Sequence, residues 1–433
     1  MMQRVLVVDK NKQPLMPCHP ARARELLRKG KAAVYRQFPF TLILTEREGG
    51  ETQPVALKID PGSKTTGIAL VADFKRGKRL IWAAVLEHRG QQIRDALLSR
   101  RQLRRSRRSR HTRYRPARFD NRRRPVGWLA PSLQSRVENS WTWEHHLSKA
   151  CPITGIAQEL VKFDTQLMAN AEISGVEYQQ GELAGYEIRE HLLEKWGRKC
   201  AYCGAKDTAL EIEHIVPKSR GGSNRVSNLT LACHDCNQAK GNLTASEYGH
   251  PEIQGKAKQP LKDAAAVNAT RWSLWRRLQT TGLPVEVGTG GRTKFNRTQQ
   301  GYPKAHWIDA ACVDESGAAV QLKYAHKPLY IRATGHGSRQ MCGTDKYGFP
   351  SRYRLCQKHH FGFQTGDIVQ ADVPAGKYTG RHVGRVACRA SGRFDITSPF
   401  GKAAGISHLH CRMLHQSDGY TYTKGHGAIA PHA

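Results

Sequence analysis

Short apolar runs separated by polar turns dominate the first ninety residues of the chain. Runs of this length predict strands, and the basic segment 21–31 between them predicts a short helix. A Pro-Leu-Met-Pro segment at 14–17 predicts a turn before that helix. The predicted strands are 5–8, 33–35, 40–44, 55–60, 66–71 and 79–86. The last three predict a meander whose first strand ends in a carboxylate, Asp60.

The apolar pattern changes over the rest of the chain. An aromatic, helix-like stretch at 133–149 precedes a predicted strand at 155–161, and a further helix is predicted at 261–279. The last hundred residues are rich in glycine and contain short apolar runs, which predicts a small antiparallel barrel. Its expected strands are 367–369, 382–389 and 393–396.

Positive charge is concentrated in one internal segment. The 433 residues contain 69 Lys plus Arg and 36 Asp plus Glu, a formal net charge of +33. Such an excess favours a polyanionic partner, above all nucleic acid. Residues 91–125 hold 14 arginines and two aspartates. No proline interrupts this segment before Pro116, so we predict an arginine-rich helix that ends or kinks there.

A helix with arginine on nearly every face cannot pack into a protein core, and phosphates on several sides would neutralise it. A disordered tail or a localisation signal is the alternative, which the internal position and helix-compatible composition disfavour. The arginines expected to bind nucleic acid are Arg100, Arg101, Arg104, Arg105, Arg107, Arg108, Arg110, Arg113 and Arg115.

The eleven cysteines include two Cys-x-x-Cys pairs. This is a metal-site pattern of a reducing compartment rather than a disulfide framework, and two such pairs predict a closed, structural Zn²⁺ site. The expected ligands are Cys200, Cys203, Cys233 and Cys236. The first residues lack a signal-peptide core, and no stretch approaches the ~20 apolar residues of a membrane helix. We therefore expect a cytoplasmic, DNA-associated protein.

A second pattern is interleaved with the cysteine pairs. Glu213-His214, a Gly-Gly turn, Asn228 and Asn237 follow in this order and resemble the landmarks of the HNH nuclease family, a ββα-metal fold. The resemblance implies that His214 is the general base that activates water. It also implies that Asn228 holds the loop and orients the His214 ring, and that Glu213 and Asn237 bind one Mg²⁺. Asn237 stands where the family often has histidine. A structural zinc module with an incidental histidine is the alternative.

Carboxylates far apart in the sequence predict a second metal site. Asp60 ends the first meander strand, Glu159 lies in the strand at 155–161, and His306 and Asp309 share one face of a predicted helix. In order and context they resemble the three motifs of the RuvC family, a ribonuclease H-like fold. The resemblance implies that Asp60, Glu159 and Asp309 bind two Mg²⁺ and that His306 activates or positions water. Three further glutamates compete with Glu159 for the second position: Glu172, Glu177 and Glu182.

A RuvC core interrupted by an arginine-rich helix and then by an HNH domain resembles the CRISPR RNA-guided effector with two nuclease sites. The chain is too short for that protein's recognition lobe, and its length and Pro-Leu-Met-Pro segment resemble the IscB family of transposon-encoded RNA-guided nucleases. The resemblance implies a multidomain α/β fold and covers residues 1 to about 325 well. The implied domains are a small N-terminal domain (1–50), RuvC part I (51–90), a bridge helix (91–125), RuvC part II (126–183), a zinc-braced HNH domain (184–250), RuvC part III (251–325) and a C-terminal β-barrel-like domain that reads a target-adjacent motif (326–433).

The resemblance also implies partners and an activity. An omega RNA would carry a guide that pairs with one strand of double-stranded target DNA, while the arginine helix grips the guide backbone. The HNH site would cut the paired strand and the RuvC site the displaced strand, with one protein monomer in the ribonucleoprotein. Two alternatives stay open: a homing or restriction-type endonuclease that needs no RNA, and a catalytically idle nucleic-acid-binding protein.

Overall fold

A computed structural model of the chain describes residues 3–110, 127–160, 184–206, 208–258, 264–322, 326–337, 341–347, 349–353 and 357–424. The helices are α1 (Pro20–Arg28), α2 (Gly90–Ser109), α3 (Pro131–Ser148), α4 (Ala184–Lys195), α5 (His234–Lys240), α6 (Glu252–Lys258), α7 (Ala264–Gln279), α8 (Gly290–Gln299) and α9 (His306–Ala311). The strands of the first half are β1 (Val5–Val8), β2 (Pro14–Cys18), β3 (Ala32–Arg36), β4 (Thr41–Leu44), β5 (Val55–Pro61), β6 (Thr65–Phe74), β7 (Gly77–Glu87), β8 (Ile153–Glu159), β9 (Leu210–His214) and β10 (Leu229–Cys233). Those of the second half are β11 (Val285–Gly288), β12 (Val320–Gln321), β13 (Leu329–Ala333), β14 (Cys342–Thr344), β15 (Pro350–Tyr353), β16 (His359–His360), β17 (Phe363–Gln364), β18 (Ile368–Val373), β19 (Gly380–Ala387), β20 (Arg393–Ser398), β21 (Gly401–Ser407), β22 (Cys411–His415) and β23 (Tyr420–Lys424).

Eight strands from distant parts of the chain form a central mixed sheet. Its order is β11-β8-β5-β6-β7-β13-β23, with β12 also paired to β7. The predicted meander is present as the antiparallel strands β5, β6 and β7. On one side of it, β8 runs parallel to β5, and β11 runs parallel to β8. On the other side, β13 runs parallel to β7.

Both faces of the central sheet are buried, because helices cover each of them. Side chains such as Ile59 and Ile68 share a core with Trp143 of α3 and Leu278 of α7. On the opposite face, Val85 belongs to a second core with residues of α9. Burial on two faces explains why the strands are almost continuously apolar rather than alternating. Helices α3 and α7 confirm the predictions at 133–149 and 261–279 within the described residues.

The N-terminal unit is a four-stranded sheet, ordered β2-β1-β4-β3, with helix α1. The Pro-Leu-Met-Pro segment was expected to form a turn, and this prediction is wrong. The segment begins edge strand β2, in which Pro14 pairs with Val8 and Cys18 pairs with Val5. An edge position tolerates proline, since the missing N–H would face away from the partner strand.

A separate small unit is formed by residues that lie between β8 and β11 in the sequence. Strands β9 and β10 form an antiparallel pair, and α5 follows β10 directly in sequence. Its separate apolar core includes Leu192 of α4, Leu231 of β10 and Ile253 of α6. A ββα unit of this kind matches the local fold that the HNH resemblance implies.

The C-terminal strands divide between two sheets. Strands β13 and β23 belong to the central sheet, so the predicted domain boundary at residue 326 cuts across that sheet. The remaining long strands form a five-stranded antiparallel sheet, ordered β21-β20-β19-β18-β22. Among the described residues this sheet is open, with β21 and β22 at its edges, so the expected closed barrel is not found. The last strand, β23, pairs with β13 in the central sheet.

Some predictions fall outside the described residues. Helix α2 is described from Gly90 to Ser109, with Arg110 at its C-cap, and the expected end at Pro116 lies beyond. The other predicted residues outside are Arg113, Arg115, Glu172, Glu177 and Glu182. Within the described part of the chain, no helix has the length and apolar character needed to cross a membrane.

Candidate metal and nucleic-acid sites

The four cysteines of the two pairs converge between α4 and the β9–β10 hairpin. The sulfur atoms of Cys200, Cys203, Cys233 and Cys236 all lie within 4.8 Å of one another. The Sγ atoms of Cys203 and Cys233 are 3.7 Å apart. Zinc bonds of ~2.3 Å in a tetrahedron separate the sulfurs by about 3.8 Å, so this group fits Zn²⁺. It could bind zinc as a closed structural site with no position left for substrate.

Glu213 and its neighbours occupy the buried side of the hairpin. Lys240 Nζ, whose side chain is 0% exposed, donates to Glu213 Oε1 at 2.7 Å. The hydroxyl of Tyr202 donates to Oε2 at 2.9 Å. Burial, together with the Glu213 charge, raises the pKa of Tyr202, which keeps this hydroxyl a donor. Both oxygens of Glu213 therefore accept hydrogen bonds from buried donors.

Asn237 contacts a different carboxylate from the one expected. Its Nδ2 donates to Glu211 Oε2 at 2.5 Å, and His234 Nδ1 lies 3.0 Å from Glu211 Oε1. The two contacts lower the pKa of Glu211, whose side chain is 41% exposed. Glu211 and Glu213 project from the same face of β9 because they are two residues apart. Sequence reasoning missed Glu211, although the alternation Glu-Ile-Glu marks it.

His214 is the last residue of β9 and directly follows Glu213. Its Nε2 is 2.9 Å from Asn224 Oδ1, so Asn224 is the residue that contacts the ring. The Asn228 side chain instead holds the loop, with bonds to the backbone of Val216 at 3.0 Å and of Ser223 at 2.9 Å. The structure thus agrees with the loop-holding role expected of Asn228 and assigns the ring contact to Asn224.

The Gly-Gly turn allows this loop to close. A Cβ atom at Gly222 would lie 1.7 Å from the carbonyl oxygen of Val216 and 2.9 Å from Asn228 Nδ2. Only glycine avoids that overlap. The turn, Asn228 and the end of β9 therefore form one unit that fixes the backbone at His214.

The separated carboxylates come together at one end of the central sheet. Ile59 pairs with Gln158 in parallel strands β5 and β8, so Asp60 and Glu159 follow at the same level. Helix α9, which carries His306 and Asp309, packs on the sheet face next to them. Its first residue lies against Gly67, where a Cβ atom would be 1.9 Å from the His306 carbonyl oxygen. Gly67 in turn is the register partner of Asp60.

A buried lysine helps to hold α9 in this place. Lys58 lies two residues before Asp60, on the same face of β5. Its Nζ donates to the carbonyl of Val313 at 2.9 Å and to Ser316 Oγ at 2.6 Å, just after α9. Burial lowers the pKa of Lys58 to about 8. Lys58 therefore connects the strand of Asp60 to the segment that follows Asp309.

Arg271 of α7 joins the ends of the two carboxylate strands. Its Nη2 pairs with Glu159 Oε1 at 3.0 Å, and its Nε donates to the Pro61 carbonyl at 2.9 Å. Its own carbonyl accepts a bond from Gln158 at 3.0 Å. Both partners of the ion pair are buried. Sequence reasoning missed Arg271, because the helix carries two further arginines, Arg276 and Arg277, and no local pattern distinguishes Arg271 from them.

A second buried arginine pairs with Asp309. Arg297 Nε lies 2.9 Å from Asp309 Oδ1, and Arg297 Nη1 donates to the Tyr302 carbonyl at 3.0 Å. Burial raises the pKa of Asp309 to about 6; Arg297 opposes this shift and the nearby Glu159 charge adds to it. Burial also lowers the pKa of His306, with Lys304 acting in the same direction, so its imidazole is neutral near pH 7.

The three carboxylates of the central sheet do not form a tight cluster. Among the described residues, the cysteine cluster is the one group of three or more metal-binding side chains whose ligand atoms all lie within 4.8 Å of one another. Asp60, Glu159 and Asp309 share one sheet end but form a wider group. Their hard oxygen donors suit Mg²⁺. The positive charges of Arg271 and Arg297 already offset part of the negative charge of Glu159 and Asp309.

Helix α2 presents its arginines to solvent. Arg100, Arg101, Arg104, Arg105 and Arg108 are all exposed. Within the described part of the chain, the ion pair on this helix is Arg94 with Asp95, and none of the five arginines reaches a carboxylate. The neighbouring Arg110 donates to the Lys346 carbonyl at 3.0 Å. The helix therefore offers an uncompensated row of cations, as an interface with phosphates requires.

Comparisons with known proteins bear on both halves of the chain. Residues 5–181 match the model of the family described as RRXRR protein, and residues 200–243 match that of HNH endonuclease. No curated protein matches the chain. Among solved structures, Streptococcus thermophilus Cas9 in complex with the AGAA PAM aligns at 11% identity and a TM-score of 0.22, over 60% of this chain and 32% of that one. The Type II-C Cas9 enzyme from Actinomyces naeslundii aligns at 17% identity and a TM-score of 0.15, over 46% of this chain and 28% of that one.

These TM-scores are too low to establish a shared fold, and the chain spans about a third of the length of those Cas9 chains. The class of protein follows from the HNH match together with the ββα unit and its cysteine cluster. The chain contains an HNH endonuclease domain. The prediction of a metal-dependent DNA nuclease is thereby confirmed for this domain.

Proposed function

We propose that the chain is an RNA-guided DNA endonuclease of the IscB type, which cuts one target strand at the HNH site and the other at the carboxylate site of the central sheet. The observation that carries this proposal is the presence of a second acidic site, at one end of the central sheet, on the chain that contains the HNH domain. Two nuclease sites on one chain would allow a single protein molecule to cut both strands of a duplex.

The strand order of the central sheet supports a ribonuclease H-like assignment for the second site. Three antiparallel strands, β7, β6 and β5, are followed across the sheet by the parallel strands β8 and β11. Asp60 and Glu159 lie at the ends of β5 and β8, and Asp309 lies on a helix packed over them. This arrangement of acids and strands corresponds, motif by motif, to the RuvC resemblance.

At the HNH site, His214 is the proposed general base. It would take a proton from water at an imidazole nitrogen while Asn224 fixes the ring and Asn228 fixes the loop. The oxygen of Asn237 and a carboxylate of β9 would hold Mg²⁺, which offsets charge on the scissile phosphate when bound. Glu213 is that carboxylate by the family resemblance, and its two oxygens also accept bonds from Lys240 and Tyr202. Glu211, on the same face of β9, contacts Asn237.

At the carboxylate site, Asp60, Glu159 and Asp309 would hold two Mg²⁺, which when bound would stabilise charge on the attacking oxygen of water and on the leaving oxygen of the phosphodiester. The neutral imidazole of His306 would accept a proton from the attacking water. Lys58 and Arg271 keep α9, β5 and β8 in register, so the acids are already positioned when substrate arrives.

The exposed arginines of α2 support an RNA partner. Duplex DNA presents phosphates mainly to one side of a helix, whereas a folded RNA and its guide can surround it. We therefore expect an omega RNA to bind α2, and base pairing by its guide to select the DNA target. A double-stranded DNA would be the second partner.

The test is cleavage with and without RNA. Protein purified with its RNA should cut both strands of a DNA that matches the guide, and RNA sequencing should recover one dominant species. Protein freed of RNA by nuclease treatment should cut no specific site, and adding the RNA back should restore cutting. Sequence-specific double-strand cutting by the RNA-free protein would establish the homing-endonuclease alternative instead.

A further inference from the structure

We propose that a nucleobase of single-stranded DNA binds in the cavity between α9 and β13, where it stacks on Tyr330. This inference rests on the proposed function and deepens it, because it assigns a holding place for the strand that is cut at the carboxylate site. Neither the HNH motif nor the carboxylate motifs include Tyr330.

The cavity lies directly beside His306. It has a volume of about 360 Å³, a size at the lower end of small-ligand pockets and suited to one base. Its walls come from two strands of the meander, the start of α9 and β13. The lining includes Thr65, Val85, Lys304, His306, Trp307 and Tyr330.

The register of the central sheet relates this cavity to Asp60. Asp60 pairs with Gly67, Gly67 with Val85, and Val85 with Tyr330. Residues in one such row project on the same face of a sheet, so Asp60 and Tyr330 share the face that α9 covers. Three strand spacings separate them, about 14 Å. The first residue of α9, His306, lies over Gly67 between the two.

This geometry suits a DNA strand that continues past the site of cleavage. A phosphate held at Asp60 and Asp309 would place the next few nucleotides across His306 and toward Tyr330. A base can reach the tyrosine ring only if it is unstacked and unpaired. A single strand therefore fits the row, and a double helix does not.

The chemistry of the lining favours the same occupant. The Tyr330 side chain keeps 43% of its surface exposed although its strand lies inside the sheet. Stacking on an aromatic ring accepts every base, as a nuclease whose target is chosen by pairing requires. Lys304 supplies a cation for a flanking phosphate. The carboxylate in the lining, Glu87, is paired with Arg332, so it does not repel the strand.

The experiment compares the two strands within one reaction. The ribonucleoprotein carrying Tyr330→Ala or Tyr330→Phe is given a guide-matched duplex labelled differently on each strand, and single-turnover nicking of both strands is followed. Tyr330→Ala should slow nicking of the displaced strand about ten-fold, the effect of losing one stacked base, and leave nicking of the paired strand unchanged. Tyr330→Phe should restore the rate. Tyr35, 46% exposed on β3, provides the matched control: Tyr35→Ala should change neither rate.

Abasic substitutions identify the base. Removing single bases from the displaced strand, one position at a time near the nick, should slow the wild-type protein at one or two positions by a similar factor. The same abasic substitutions should not slow nicking by Tyr330→Ala any further. Three results would each overturn the proposed pocket. They are a wild-type nicking rate in Tyr330→Ala, an equal loss of rate on both strands, and abasic substitutions that slow Tyr330→Ala by the same factor as the wild-type protein.

Failure of the pocket differs from failure of the proposed function. If displaced-strand nicking requires Asp60 but is unaffected by substitution of Tyr330, only the proposed pocket is rejected. A wild-type ribonucleoprotein that leaves the displaced strand intact, or nicks it equally well with Asp60→Ala, removes the proposed second nuclease site and the pocket with it.

Discussion

The HNH unit and the carboxylate site are built over very different lengths of chain. In the HNH unit, the cysteines and the hairpin landmarks all lie between residues 200 and 240, and one small core surrounds them. The carboxylate site takes Asp60, Glu159 and Asp309 from three segments that meet only in the central sheet. Its ion pair between Arg271 and Glu159 joins residues 112 positions apart.

This difference separates two ways of stabilising a site. The HNH unit has four sulfurs that a single ion can link, so its integrity should depend on metal. The carboxylate site is held by strand pairing and by the buried contacts of Lys58, Arg271 and Arg297. Its framework should therefore persist without metal, and loss of one site should leave the other intact.

The largest expected effect comes from removing a zinc ligand. Cys203→Ser should abolish zinc binding and unfold the HNH unit, since the metal links both cysteine pairs, and cutting of the paired strand should be lost. Nicking of the displaced strand should remain. Elemental analysis and limited proteolysis measure the change, with Cys342→Ser as a cysteine control outside the cluster. Active wild-type protein that contains no zinc would contradict this prediction.

Substitution of the proposed catalytic residues should abolish cutting of one DNA strand and leave cutting of the other. His214→Ala should leave only nicking of the displaced strand, because it removes the proposed base of the HNH site. Asp60→Ala should leave only nicking of the paired strand. Strand-specific labels report both products, and the double variant should still bind target DNA in a gel-shift assay. Loss of both cuts in either single variant would show that the sites are not independent.

Substitutions on α2 should affect both sites equally. Replacing a stripe of four exposed arginines with alanine should weaken RNA binding on the order of 100-fold at physiological salt, and should flatten the dependence of log Kd on log salt by about 3. The stripe consists of Arg101, Arg104, Arg105 and Arg108. The control set of equal charge, in the β6–β7 turn and the first residues of β7, is Lys75, Arg76, Lys78 and Arg79. An equal loss in the control set would show that net charge alone attracts the RNA.

The smallest expected effect concerns metal affinity at the carboxylate site. Arg271→Lys keeps the positive charge but loses the planar group that bonds Glu159 and the Pro61 carbonyl at the same time. Displaced-strand nicking should therefore need about ten-fold more Mg²⁺. The Mg²⁺ dependence of the paired strand should stay unchanged. Arg277→Lys is the control, because Arg277 lies on the same helix and pairs with Glu138 away from the site. A Mg²⁺ titration in which both variants behave alike would exclude this role for Arg271.

Much of the secondary structure was predictable from local patterns. The meander, α3, α7 and the main C-terminal strands follow apolar runs and glycine-rich turns, and the structure confirms them. The errors arose where pairing partners lie far away. The Pro-Leu-Met-Pro segment became an edge strand because β1 was available to pair with it. Where a barrel was expected, the described residues form an open five-stranded sheet, and β23 pairs with β13 in the central sheet.

Sequence by itself determined the cysteine cluster, the HNH domain and the concentration of arginine on α2. Each depends on residue types at short, fixed spacings, which a helix or hairpin converts directly into geometry. Tertiary structure decided which groups face one another: Glu213 with Lys240, Asn237 with Glu211, and Tyr330 in the same row as Asp60. These relations depend on sheet register and on burial, because a charge removed from water must find a partner wherever the fold brings one near. The spacing of residues along the sequence does not predict such a partner.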